Sequence, residues 1–241
     1  MSSVTDMDFK EGAILLINKP LRWTSFDVVK KVRYALRHIY GQKKFKVGHA
    51  GTLDPLATGL LVLCTGKKTK EIDGFIQDEK EYVATIKFGA TTPSFDLETK
   101  IDETFPTEHI TEAELITAIA TFEGEQEQVP PIFSAKKIDG RRAYKSARKG
   151  KEVVMRMNFI TIHKISLLSY ENLIAKVHVV CSKGTYIRSL ANDLGKKMNS
   201  GAHLIDLERT RSGNFLLENA YDLFELVDEI NALPRILEKV D

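Results

Sequence analysis

The 241-residue sequence contains only two cysteines, Cys64 and Cys181, and both lie in apolar runs. A disulfide framework is therefore not expected, and a reduced, cytoplasmic protein is predicted. No apolar run approaches the roughly 18 residues that a membrane span requires. The first ten residues carry two acids and no long apolar stretch, unlike a secretory signal. Glycine (15) and proline (7) are too few for a low-complexity chain, and 43% hydrophobic residues predict a globular protein with a sizeable core.

The sequence also lacks the motifs of several common chemistries. No G-x-G-x-x-G or G-x-S-x-G pattern is present, and Thr65–Thr69 lacks the earlier glycine that completes a phosphate-binding loop. The six histidines are scattered, and neither cysteine has a neighbour at metal-ligand spacing. Dinucleotide, P-loop and zinc chemistry are therefore not expected.

Charge is nearly balanced, at +2, but it is strongly segregated along the chain. Val28–Leu53 contains seven Lys or Arg and no acid, and Ser134–Lys151 contains eight against a single acid, Asp139. Acids are concentrated in Ser94–Glu127 and in Leu217–Asp241. Two basic blocks of this size are typical of a surface that binds a polyanion, most often nucleic acid. Charge alone leaves open that both blocks are solvated faces.

Hydrophobic periodicity predicts helices and strands that intermingle along the chain. Thr24 is expected to cap a helix whose apolar positions run from Val28 to Ile39, with basic residues on its outer face. Val47–Pro55, with two glycines and an Asp-Pro pair, is predicted to be an irregular loop. The other predictions are strands at Ala13–Ile17, Glu81–Phe88 and Leu173–Cys181, an apolar run at Leu60–Cys64, helices at Glu112–Phe122 and Thr185–Met198, and a basic excursion at Gln128–Glu152. Without the regular alternation of a doubly wound sheet, the predicted fold class is α+β.

Three segments carry residues that could do chemistry. His49–Gly59 (HAGTLDPLATG) places one carboxylate, Asp54, between glycine-rich turns. Ser182–Arg188 (SKGTYIR) lies at a predicted strand-to-helix joint, and Lys80–Tyr82 (KEY) begins a predicted strand. Taken singly, each has an ordinary structural interpretation: a turn aspartate, a helix N-terminus and a core aromatic.

Together these segments resemble the TruB family of tRNA pseudouridine synthases. The resemblance covers roughly residues 11 to 213 and includes Asn18-Lys19-Pro20, Thr24-Ser25 and Gly201–Leu204 in the family's order. It implies the pseudouridine synthase catalytic fold, a mixed and mainly antiparallel sheet flanked by helices. We expect a single catalytic domain over residues 1–241, with an RNA-gripping insertion at about 124–152. The acidic residues 214–241 are too few for the C-terminal PUA domain of many bacterial members, and are expected to form a helical tail.

The resemblance implies an isomerase that converts the uridine at position 55, in the T loop of tRNA, to pseudouridine. The base is detached, rotated and rejoined through carbon, without redox change or group loss, so no cofactor or metal is expected. Asp54 matches the family's catalytic aspartate. Attack on the ribose C1′, attack on the uracil C6 and stabilisation of developing charge all remain open for it. Arg188 matches the arginine partner that favours an ionised carboxylate, and Tyr82 matches the tyrosine that stacks on the target base.

The same resemblance assigns further positions. His49 matches a histidine beside the space that the flipped nucleotide leaves. The other implied substrate-binding residues are Lys19, Tyr186 and Leu207. The implied RNA-binding residues of the insertion are Lys136, Lys137, Arg141 and Arg142.

The expected partner is the T arm of tRNA, with no membrane, guide RNA or obligate protein partner. Two alternatives are a non-catalytic RNA chaperone and the guide-RNA-dependent subunit of a larger particle. The intact set of Asp54, Tyr82 and Arg188 argues against chaperoning as the sole role. The missing C-terminal domain and the absence of long basic tails argue against the second alternative.

Overall fold

The computed structural model describes residues 3–133, 137–138, 141–142 and 155–236. The chain divides into two compact units, Met1–Lys80 with Glu208–Asp241, and Glu81–Leu207. The helices are α1 (Ser25–Ile39), α2 (Ile72–Gln77), α3 (Glu112–Ala120), α4 (Ile187–Lys197) and α5 (Leu223–Ala232). The strands are β1 (Ile14–Lys19), β2 (Val47–Ala50), β3 (Ala57–Thr65), β4 (Lys80–Phe88), β5 (Ala90–Thr91), β6 (Glu103–Thr104), β7 (Gly124–Gln128), β8 (Lys137–Ile138), β9 (Arg141–Arg142), β10 (Asn158–Glu171), β11 (Ile174–Cys181), β12 (Ala202–Ser212), β13 (Phe215–Leu216) and β14 (Tyr221–Asp222). Across these described ranges, no helix combines the length and the apolarity needed to cross a membrane.

In the first unit the strand order is β14-β1-β3-β12, with β2 paired to β3 and β13 to β12. Strand β1 runs antiparallel to β3, from Ile14 opposite Cys64 to Lys19 opposite Gly59. Strand β2 also runs antiparallel to β3 and ends with Ala50 opposite Val62. The end of β1 and the turn that joins β2 to β3 therefore lie at the same end of this sheet.

Helix α1 forms as its sequence predicts. The Thr24 hydroxyl accepts a hydrogen bond from the Asp27 amide at 3.0 Å, and the Asp27 carboxylate accepts one from the Thr24 amide at 3.2 Å, which completes a capping box. The buried face of the helix consists of Val28, Val29, Val32, Ala35, Leu36 and Ile39, each at most 2% exposed. The helix ends before Gly41, whose φ of 62° is the left-handed conformation common after a helix C-terminus.

In the second unit the strand order is β12-β4-β11-β10-β7. Strands β10 and β11 form a long antiparallel hairpin, and β7 pairs antiparallel with the start of β10. Strand β4 alternates as predicted, with Tyr82, Ala84, Ile86 and Phe88 buried on one face. The described strand pairs include one parallel pair, β1 with β14, and antiparallel pairs, so the α+β prediction with a mixed sheet is confirmed.

The structure corrects one local prediction and confirms another. The predicted loop Val47–Pro55 is wrong in its first part, since Val47–Ala50 forms β2 against β3 and buries Val47 and Ala50. The predicted tail helix is confirmed as α5, which buries four apolar side chains, Leu223, Leu226, Val227 and Ile230. Phe224, on the same helix, is 44% exposed.

Candidate functional site

Asp54 lies in the turn between β2 and β3, and the chain before it is held by helix α1. The Asp54 carbonyl accepts a hydrogen bond from the Ala57 amide at 3.1 Å, which closes the turn. The hydroxyl of Ser25, the first residue of α1, donates to the Leu53 carbonyl at 3.0 Å and accepts from the Leu53 amide at 2.8 Å. Ser25 and Leu53 are both buried, so these bonds are shielded from competing water.

Arg22 and Arg209 also donate hydrogen bonds to the backbone around this turn. The Arg22 amide donates to the carbonyl of Pro55, the residue after Asp54, at 2.7 Å. The guanidinium of Arg209, 1% exposed, donates to the Leu60 carbonyl at 2.7 Å and to the Gly51 carbonyl at 3.2 Å. Arg209 therefore bonds to the backbone both before and after Asp54. Sequence reasoning missed this residue.

A second buried cation, Lys19, interacts electrostatically with Asp54. Lys19 is fully buried, and its ammonium donates to the carbonyls of Pro20 at 2.9 Å and Trp23 at 2.7 Å. The pKa of Lys19 is lowered from 10.5 to about 8, chiefly by burial; the charge of Asp54 acts to raise it and that of Arg209 to lower it. Lys19 is therefore mostly protonated at neutral pH, and a neighbouring ammonium favours the ionised form of a carboxylate.

His49 lies on β2, ahead of the same turn. Its pKa is lowered, first by burial and then by the charge of Arg209, while a backbone hydrogen bond with Gly51 acts in the opposite direction. The ring is therefore neutral at pH 7. A neutral imidazole can pack against a nucleobase without the cost of desolvating a charge.

In the second unit, Tyr186 precedes the first turn of α4 and is bound to the end of β7. The Tyr186 amide donates to the Gln128 side-chain oxygen at 2.8 Å, and the Gln128 side-chain nitrogen donates to the Tyr186 carbonyl at 3.1 Å. The Ser189 hydroxyl donates to the Val129 carbonyl at 2.7 Å. The start of α4 is thus tied to the chain that leads into the basic block Ser134–Lys151.

Arg188, 3% exposed, adds further hydrogen bonds at the start of α4. Its guanidinium donates to the Phe133 carbonyl through both terminal nitrogens at 3.1 Å, and to the Ser94 carbonyl at 3.2 Å. Its Nη1 lies 3.6 Å from the Asp96 carboxylate. Asp96 is a charged neighbour that sequence reasoning did not identify.

The remaining predicted residues are placed as follows. Tyr82 on β4 and Leu207 on β12 are 8% and 7% exposed, in the second unit. Lys136 lies outside the described residues. The backbone of Lys137 pairs with that of Arg142, and Ile138 pairs with Arg141, in the short ladder of β8 and β9. The first unit thus brings together Lys19, His49 and Asp54, and the second places Tyr186 and Arg188 at the start of one helix.

Comparison with known families gives two matches that together extend from residue 37 to residue 239. A model of the TruB family pseudouridylate synthase N-terminal domain matches residues 37–187. A model of the tRNA pseudouridylate synthase B C-terminal domain matches residues 188–239. The second match includes α4, β12 and the acidic tail.

Curated relatives match over nearly the whole chain. A protein of Parabacteroides distasonis named tRNA pseudouridine synthase B is 54% identical over 222 residues, which cover 92% of this chain and 94% of that protein. A protein of the same name from Bacteroides fragilis is 56% identical over 216 residues, covering 90% of this chain and 93% of the relative. One from Clostridium kluyveri is 43% identical and extends further, since the match covers 93% of this chain and 75% of that protein.

Solved structures share the fold. A chain of a Cbf5-Nop10-Gar1 complex aligns with a TM-score of 0.69 and 29% identity over 91% of this chain. A chain of an H/ACA RNP bound to a substrate RNA containing 2′-deoxyuridine aligns with a TM-score of 0.67 and 27% identity. This chain spans about half the length of each, 54% and 53%. The predicted pseudouridine synthase fold is therefore confirmed.

Proposed function

The chain belongs to the TruB family of pseudouridylate synthases, and on that premise we propose that it isomerises uridine 55 in the T loop of tRNA to pseudouridine, with Asp54 as its catalytic carboxylate. The observation that carries the proposal is the Asp54 turn. A single carboxylate is held there between backbone contacts to Ser25 and Arg22. The buried Lys19 is close enough to interact with it. The named relatives support isomerisation of uridine in tRNA. We further propose position 55 as the target and Asp54 as the catalytic carboxylate.

The chemistry requires a carboxylate that is ionised in a pocket from which water is excluded. Burial alone would favour the protonated form, and a nearby cation reverses that preference. Lys19 supplies such a cation, and since its contacts are to backbone carbonyls and to the charge of Asp54, we propose that it acts through Asp54. An ionised Asp54 can attack the ribose C1′ or the uracil C6, or stabilise the charge that develops as the glycosidic bond breaks.

We propose that the other predicted residues bind the same uridine and its RNA. Tyr82 would stack on the base, Arg188 would favour the ionised form of Asp54, and Tyr186 and Leu207 would line the pocket. His49 would face the RNA loop that the uridine leaves, where its neutral ring suits stacking. Lys136, Lys137, Arg141 and Arg142 would hold RNA phosphates. That role is supported by the hydrogen bonds of Gln128, Val129 and Phe133, which precede these basic residues within the insertion, to the start of α4.

We propose that the enzyme acts on tRNA without a guide RNA or an obligate protein partner. The Parabacteroides distasonis relative named tRNA pseudouridine synthase B matches this chain over more than 90% of both lengths. The aligned chain of the Cbf5-Nop10-Gar1 complex is about twice as long as the part that aligns. A cytoplasmic location, in which thiols stay reduced, fits the two buried free cysteines.

The direct test is incubation of the purified chain with an unmodified tRNA transcript and no other macromolecule. We expect one pseudouridine, at position 55, when the product is mapped by chemical labelling. A transcript in which uridine 55 is replaced by cytidine is the matched control and should gain none. Modification that requires an added guide RNA, or that falls at another uridine, would contradict the proposal.

Lys19 also gives the enzyme an expected pH dependence. Because its pKa in the folded protein is about 8, Lys19 loses its proton above that pH, and Asp54 then loses a neighbouring positive charge. We expect the single-turnover rate at saturating tRNA to fall as the pH rises through about 8. In Lys19→Arg the alkaline limb should disappear, because a guanidinium stays protonated throughout this range. An unchanged limb in Lys19→Arg would assign it to another group.

A further inference from the structure

The exposed side of helix α1 carries two adjoining cavities, which we call the α1 groove. The first, of about 480 Å³, is lined by Arg22, Trp23, Asp27, Lys30, Lys31 and Tyr34. The second, of about 310 Å³, is lined by Tyr34, Arg37, His38, Lys43 and Arg235, with Gly41 and Gln42. Tyr34 lines both cavities and is 73% exposed. The groove therefore has an exposed aromatic ring near its middle.

The lining of the α1 groove is strongly cationic. The basic residues are Arg22, Lys30, Lys31, Arg37, Lys43 and Arg235. Among its described lining residues, Asp27 is the one carboxylate. Asp27 is already engaged, since its oxygens accept hydrogen bonds from Thr24 and lie 3.7 Å from Lys30. The groove thus offers an excess of positive charge to a ligand.

Aromatic rings accompany these cations. Trp23 packs edge-on against Phe224, with ring centroids 5.5 Å apart, and the Lys31 ammonium lies 5.9 Å from the Phe224 ring centroid. Proteins that bind unpaired nucleic acid combine a cationic groove for the backbone with aromatic rings on which bases stack. Tyr34, 73% exposed, has the exposure that such stacking requires.

The position of the groove connects it to the catalytic turn. At one end is Arg22, whose amide donates to the Pro55 carbonyl, next to Asp54. From there the groove follows α1 toward Arg37, and the 15 residues of this helix span roughly 21 Å. At the far end the Arg235 guanidinium is hydrogen-bonded to the His38 ring at 3.1 Å, so the C-terminal segment forms part of the wall.

We propose that the α1 groove binds an unpaired stretch of the substrate tRNA adjoining the flipped uridine. A base stacks on Tyr34, and phosphates contact Arg37, Lys43 and Arg235. The inference rests on the proposed function, because that function brings RNA to the Asp54 turn at which the groove begins. An elongated cationic surface with one exposed ring fits a polyanion that carries planar bases better than a free phosphate.

The test measures binding of an unmodified full-length tRNA transcript at several salt concentrations, with the full chain. Tyr34→Ala should raise the Kd about 5–100-fold with little change in salt dependence, and Tyr34→Phe should stay within about twofold, because the ring is kept. The double variant Arg37→Ala/Lys43→Ala should reduce the slope of log K against log salt by about 1.4–1.8. The matched control, Lys87→Ala/Lys176→Ala, removes two exposed lysines from β4 and β11 and should keep the wild-type slope and Kd.

The outcomes separate this inference from the proposed function. If wild-type protein modifies tRNA while Tyr34→Ala binds it with wild-type Kd and the double variant keeps the wild-type slope, the groove proposal is wrong and the function stands. If wild-type protein binds tRNA but forms no pseudouridine, the function is wrong. Equal losses in Tyr34→Ala and Tyr34→Phe would contradict stacking. Because Tyr34, Arg37 and Lys43 are exposed, thermal unfolding of these variants should match wild type.

Discussion

Replacing Asp54 with asparagine is expected to abolish pseudouridine formation while leaving tRNA affinity nearly unchanged. The amide keeps the shape of the side chain but has no anionic oxygen to attack the sugar or base, or to stabilise positive charge. Loss of such a group lowers turnover by at least about 10³-fold. Affinity is set by many phosphate contacts, so one carboxylate contributes little to it.

The measurement is single-turnover pseudouridine formation at saturating tRNA, together with the Kd of the same preparation. Asp228→Asn is the matched control, because it makes the same chemical change at an exposed position on α5 and should retain full activity. Substantial turnover by Asp54→Asn would remove Asp54 from the catalytic role. If tRNA binding were lost as well, the substitution would have disrupted the turn itself.

Much of the fold could be predicted because its local signals agree. Helix α1 has a capping box at Thr24 and an apolar stripe at helical spacing, and β4 alternates with a period of two. Strand β2 has no such signal, since four residues containing a glycine show no clear period and its pairing with β3 is not local. Strand β12 was missed because it buries Arg209 and Ser212 along with apolar residues, which hides the alternation.

The candidate site likewise contains residues that the sequence points to and residues that only the structure reveals. Asp54, Tyr82 and Arg188 could be proposed from family-like segments, although each one alone has an ordinary structural interpretation. The surroundings of Asp54 could not be derived from the sequence. Lys19 interacts with Asp54, and Arg209 bonds to Gly51 ahead of it, only because folding brings distant segments together. A buried cation looks like any surface lysine or arginine in a sequence. For the same reason Asp96, within a generally acidic stretch, gave no sign of its contact with Arg188.

Among arginine substitutions in the second unit, we expect a change at Arg188 to reduce pseudouridine formation the most. Its guanidinium is buried among two backbone carbonyls and the Asp96 carboxylate, so Arg188→Met leaves buried acceptors unsatisfied. We expect a severe loss of pseudouridine formation and a lower melting temperature. Two causes would give such a catalytic loss: a loosened α4, or a carboxylate that has lost its charge partner.

The dependence of rate on pH decides between these causes. A partner cation keeps a carboxylate ionised, so removing it raises the pH below which the group is protonated and inactive. If Arg188 keeps Asp54 ionised, the acid limb of the pH–rate profile should shift to higher pH by about 1–3 units in Arg188→Met. Arg188→Lys should recover only part of the rate, because an ammonium lacks the planar, two-pronged geometry that matches a carboxylate.

Asp96→Asn supplies the control that the structure makes possible. It removes the charged neighbour of Arg188 in the second unit but leaves the guanidinium and its bonds to Ser94 and Phe133 available. If Arg188 favours the ionised form of Asp54, Asp96→Asn should keep the wild-type acid limb and most of the rate. If Arg188 only anchors α4 to the chain at Phe133, the acid limb should stay in place in Arg188→Met. Arg188→Lys would then be nearly as fast as wild type, and its catalytic pairing with Asp54 would be ruled out.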